Sequence, residues 1–130
     1  MDVIAEIKAR LAKYPEARFA ETPGSIEVLP RDDTGFPVTM NITAAGYTVH
    51  FSGWHEDFKS PEEALDCFAF GLSTGCRLRV VYRGAMQTKW TVEGKQDDAW
   101  VADSETGLIF VPFWRPQRIV YLQNRLVLAT

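Results

Sequence analysis

The stretch Ser60-Pro61-Glu62-Glu63-Ala64-Leu65-Asp66-Cys67-Phe68-Ala69-Phe70-Gly71-Leu72-Ser73 decides how the rest of the chain is read. A serine that can accept a backbone N–H, a proline at the first helical position and a glutamate three residues after the serine together form a capping box, so a helix opens here. It runs to about Ser73 and is closed by Gly75. Its second half, from Cys67 to Leu72, is apolar almost all round. Such a helix has no face to offer water and has to be covered on two sides. Residues 60–73 are therefore the centre of the expected fold, and the other elements are its cover.

Upstream, Asp2 can cap a shorter helix in which Val3, Ile4, Ile7 and Leu11 recur at helical spacing and which Pro15 ends. The remaining apolar segments read as strands over 25–29, 38–43, 47–51, 54–58, 77–83, 87–93, 99–102, 108–111 and 118–122. Short connections imply antiparallel pairing, and alternation then selects a register, because a one-residue slip would turn every core side chain outward. A turn at Ala45-Gly46 sets Ile42 against Val49 and Met40 against Phe51 inside, with Asn41 against His50 outside. A turn at Ser52-Gly53 sets Phe51 against Trp54, Tyr47 against Phe58 and His50 against His55. Beyond the central helix, a three-residue loop is preferred to a two-residue Gly84-Ala85 turn, since it pairs Val80 with Trp90, Leu78 with Val92 and Arg77 with Glu93.

The segment Pro112-Phe113-Trp114-Arg115-Pro116 cannot continue a central strand, because proline supplies no ladder donor. Residues 117–130 read equally well as one strand with a tail or as a hairpin turning at Gln123-Asn124. The expected architecture is a single α+β domain over residues 1–130. It is a two-layer fold in which a mainly antiparallel, twisted sheet packs on the central helix 60–73, with the amino-terminal helix alongside.

Composition agrees with a folded domain. Hydrophobic residues make up 46% of the chain and charged residues 24%, which supplies a core without disulfides or structural metals and argues against disorder. No apolar run approaches the roughly 20 residues needed to cross a bilayer, so no membrane partner is expected and a cytoplasmic location is. Cys67 and Cys76, on the helix and the following strand, are expected to be separate buried thiols. Charge is uneven: residues 1–66 carry six basic and twelve acidic side chains, net −6, and residues 67–130 carry eight basic and five acidic, net +3. An asymmetry of this kind can orient a charged ligand.

Three constellations can carry chemistry. The register places Asn41, His50, His55 and Asp57 on one outer sheet face. Two imidazoles and a carboxylate there can ligate a divalent metal and support hydrolysis, although a solvated polar face accounts for the same residues. Arg77, Arg79, Arg83 and Lys89 fall on the outer face of the later hairpin and can grip a carboxylate or phosphate, with Glu93 opposite Arg77 cancelling part of that charge. Phe70 and Cys67 beside the core stripe of the helix, with Phe113 and Trp114 in the proline-bounded loop, form an apolar surplus. Such a surplus suits a contact surface or a homodimer.

No phosphate loop, nucleophile elbow or zinc-protease helix is present, and a pI of about 5.4 speaks against nucleic acid. The expected role is a noncatalytic module that binds a protein or small-molecule ligand through Arg77, Arg79, Arg83, Lys89 and Trp114, with self-association open to it. The competing role is a small metal-assisted hydrolase centred on His50 and His55 with Asp57. No organic cofactor is expected; a divalent metal is the one inorganic candidate.

Overall fold

The computed structural model describes residues 1–129. Helix α1 spans Val3–Leu11 and buries Val3, Ile4, Ile7 and Leu11, the stripe its periodicity demands, while Asp2 accepts a hydrogen bond from the Ala5 N–H at 3.1 Å. Helix α2 spans Pro61–Gly71 and buries Ala64, Leu65, Phe68 and Gly71. Ser60 Oγ accepts from the Glu63 N–H at 3.3 Å, so the capping serine acts as its sequence implies. The box is not completed by the Glu63 side chain; Ser60 Oγ instead donates to the Glu62 carboxylate at 3.1 Å. The helix stops short of Ser73 because that side chain turns the backbone out, donating to the Phe70 carbonyl at 2.8 Å and accepting from the Gly75 N–H at 3.2 Å.

The α+β class with antiparallel pairing is what the chain adopts, and its strands divide between two sheets. In the first, β1 (Arg18–Thr22), β2 (Ser25–Leu29), β3 (Val38–Thr43), β4 (Gly46–Phe51) and β5 (Trp54–Phe58) follow one another as a meander. In the second, β6 (Cys76–Arg83), β7 (Met86–Gln96) and β8 (Ala99–Gly107) form a meander, and β9 (Gln117–Leu122) returns beside β6, giving the order β8-β7-β6-β9. Strand β1 has no counterpart in the sequence reading. All five of its residues are exposed, so it shows no buried alternation; its signal is the turn Thr22-Pro23-Gly24-Ser25, where Gly24 takes a φ of +79°.

The registers differ from expectation in an instructive way. Phe51 pairs with Trp54, His50 with His55 and Tyr47 with Phe58, as the Ser52-Gly53 turn requires. In the preceding hairpin, however, Thr43 pairs with Gly46, so Met40 faces Val49, Ile42 faces Tyr47, Asn41 faces Thr48 and His50 faces Thr39. The turn is at Ala44-Ala45, not Ala45-Gly46. The pairing has moved by two residues, which leaves every side chain on its expected face. In the later hairpin Val80 pairs with Trp90, Leu78 with Val92 and Arg77 with Glu93, yet the turn is the two-residue Gly84-Ala85. A bulge between Val81 and Tyr82 reconciles the two.

Helix α2 lies against β3, β4 and β5, and Gly71 lets its last turn settle on the Phe51 ring, where a Cβ would collide. One continuous buried cluster draws on both helices and both sheets, including Ile26, Met40, Phe51, Trp54, Phe68, Leu78, Trp90 and Val92. The sheets meet where β5 touches β7 and β8: Trp54 Nε1 donates to Ser104 Oγ at 3.1 Å, and Gly53 abuts the Trp90 indole so closely that no Cβ fits. After β9 the chain continues as a tail, not a hairpin. Val127 bridges in parallel to Ser73, and Asn124 is buried. Thr130, the last residue of the predicted segment, lies outside the described residues.

Candidate docking surface on the second sheet

Residues 108–111, expected as a strand, form instead the start of an exposed loop that runs to Pro116. Leu108 makes the last ladder bond, donating from its N–H to the Thr88 carbonyl at 2.9 Å, and no further strand lies alongside to receive the next residues. The far end is pinned by the Gly84 N–H, which donates to the Pro116 carbonyl at 2.9 Å. Between these anchors the backbone folds on itself, with Phe113 N–H donating to Val111 O at 2.8 Å and Arg115 N–H to Pro112 O at 3.0 Å. Glycine suits position 84: its φ is +61°, in the left-handed region, and a Cβ would come to 3.0 Å from Arg115 Cδ.

The loop turns its largest side chains to solvent. Ile109 is 90% exposed, Phe110 88%, Phe113 75% and Trp114 71%, and Met86 in the neighbouring turn is 44% exposed. Phe113 and Trp114 contact each other edge to face at 5.4 Å. Leaving one such side chain in water forgoes about 1.5 to 3 kcal/mol of burial, and four of them on one loop make an exposed apolar patch. Trp114 stands where the sequence placed it, while Ile109 and Phe110 were hidden in a run with strand composition. Phe70 and Cys67 do not join this surface; both pack against the core, so of the four residues expected to form the apolar surplus only Phe113 and Trp114 are exposed.

The predicted cations sit on the adjoining sheet face but are not equivalent. Arg77 is half-buried, paired with Glu93 at 2.5 Å and held between the Trp100 and Tyr121 rings at 4.7 and 4.1 Å. Its charge is spent within the fold. Lys89 lies 3.7 Å from Glu105. Arg79 and Arg83 meet no carboxylate within salt-bridge distance among the described residues, and Arg83 donates to the Arg115 carbonyl at 3.4 Å. Arg79, Arg83 and Lys89 line an open cleft of about 250 Å³ whose other walls include Leu108 and Val111, so the cationic cleft and the apolar loop are continuous.

On the first sheet, His50 and His55 oppose each other with ring centroids 5.7 Å apart, as their register demands. Asp57 is drawn aside: it lies opposite Thr48, and its carboxylate accepts from Thr48 Oγ1 at 2.7 Å. Asn41 faces Thr48 across the strands and accepts from Ser25 Oγ at 2.7 Å. Among the described residues no group of three or more His, Cys, Asp or Glu side chains is placed to hold a metal ion. Half-burial, and secondarily the neighbouring His55, push the His50 imidazole below the ordinary 6.5, with Asp57 opposing. Cys67 and Cys76 are free thiols, each pushed up to about 12 chiefly by burial, so both stay protonated at neutral pH. Compared with protein-family models, curated proteins and solved structures, the chain matches none.

Proposed function

We propose that this protein is a noncatalytic binding module that docks its partner on the loop 108–115 and the cationic cleft beside it. The observation that carries this reading is the exposure of Ile109, Phe110, Phe113 and Trp114 together on one anchored loop. The continuity of that loop with Arg79, Arg83 and Lys89 supports it further, because it selects a ligand with apolar and anionic parts side by side.

The anionic aromatic dye bis-ANS has that chemistry and serves as the probe. The wild-type protein is expected to bind it saturably with a rise in fluorescence. The double variant Phe110→Ser, Trp114→Ser should lose roughly tenfold or more in affinity at unchanged circular dichroism. Equal binding by the folded variant, or none by the wild type, would remove the loop as the docking site.

A further inference from the structure

We infer that the loop docks on the surface of an anionic lipid bilayer, a conclusion that rests on the docking reading above and names its occupant. Three features of the surface favour an extended apolar medium with a negative boundary. First, the side chains of the loop and Met86 line an open hollow of about 750 Å³. The walls of the hollow are so exposed that a small molecule lying in it leaves much of their apolar surface in water, whereas apolar tips entering a bilayer are covered from every side at once.

Second, no acidic residue occurs between Gly107 and Arg118, while Arg79, Arg83 and Arg115 stand around the base of the loop without a carboxylate partner among the described residues. A tryptophan beside arginines suits the headgroup boundary, where an aromatic body is buried and cations meet lipid phosphate and carboxylate groups. A second copy of the chain fits poorly: in a two-fold interface the same patch meets itself, and this stretch offers the arginines no acidic residue in return.

Third, the chain is polarised. Residues 1–66, which contain the whole first sheet, carry net −6, and residues 67–130, which contain the loop, carry net +3. An anionic surface repels the former and attracts the latter, so the molecule arrives loop first although its overall charge is −3. No helix of the described residues is long and apolar enough to cross a membrane, and a peripheral contact asks for none.

The test is flotation of the full chain with vesicles of phosphatidylcholine alone or mixed with phosphatidylserine, at low and high salt. Wild type is expected to float with the mixed vesicles, weakly or not at all with the neutral ones, and to be released by salt. Arg79→Gln/Arg83→Gln/Arg115→Gln should weaken binding about a hundredfold at low salt, each arginine contributing about fivefold. Phe110→Ser/Trp114→Ser should abolish flotation. Failure of the wild type to float while it still binds bis-ANS overturns the lipid assignment and leaves the docking site standing; failure of both removes the site itself. A wild-type dimer that the loop variant converts to monomer, with no flotation, assigns the loop to a second copy and overturns the inference as well.

Discussion

Asn124 shows how much one side chain can hold. Its Oδ1 accepts from the Phe36 N–H at 3.1 Å, and its Nδ2 donates to the carbonyls of Phe36 at 2.9 Å and Gly71 at 3.0 Å, all buried. It thereby ties the tail to the segment before β3 and to the end of α2. In the sequence Gln123-Asn124 reads as turn chemistry, because asparagine favours turns and nothing local announces burial. Asn124→Ala leaves three buried backbone groups without that partner and is expected to cost about 3 kcal/mol in urea unfolding; a loss below about 0.5 kcal/mol would show the anchor to be dispensable. His50 makes a second prediction. Its imidazole titrates below 6.5, so between the folded and unfolded values the unfolded chain binds more protons. Its contribution to stability is complete above 6.5 and is lost as pH falls through the folded value. An NMR titration should give a His50 midpoint below 6.5, and His50→Gln should flatten that part of the stability profile; a midpoint at or above 6.5 would contradict the assigned environment.

Among the elements, α2 was the most legible, because its cap, first-turn proline and apolar half are all written locally. Ser60→Ala removes the acceptor for the Glu63 N–H and should cost about 1 kcal/mol by thermal or urea unfolding, with no change in fold. An unchanged midpoint would mean that tertiary contacts alone hold the helix start. The hairpins were legible only in part. Alternation fixes which face a side chain takes but cannot separate registers that differ by two residues, as the β3–β4 pair demonstrates. There the choice falls to Gly46, whose φ of +145° and lack of room beside the Phe58 carbonyl fit it for the first position of β4. Likewise the bulge between Val81 and Tyr82 lets a two-residue turn coexist with a register that alternation had assigned to a longer loop.

Over the whole molecule, the junction of the two sheets is the decisive contact. Trp54 bonds to Ser104, Gly53 lies under the Trp90 ring, and the core cluster runs without a break from α1 to Val92. Far-UV circular dichroism, which reports both sheets, and tryptophan fluorescence, in which the buried Trp54 and Trp90 at their junction change environment most among the four tryptophans, are therefore expected to give the same urea midpoint. Separate midpoints would show that the sheets unfold as independent units. The same junction leaves the outer face of the second sheet free, with Arg79, Arg83 and the loop 108–115 directed away from the core.

The sequence by itself determined both helices, most strands, the buried face of each, and the presence of an aromatic loop between two prolines. These follow from interactions within a few residues: caps, helical and strand periodicity, and missing backbone donors. Only the tertiary structure decided that the strands form two sheets, that Asn124 is a buried anchor, and that Leu108–Val111 finds no neighbouring strand. The same holds for the cations: Arg77 is paired with Glu93 and held between two aromatic rings, while Arg79 and Arg83 are left without a carboxylate partner among the described residues. Each of these depends on what lies across from a residue far along the chain, and local pattern has no access to that.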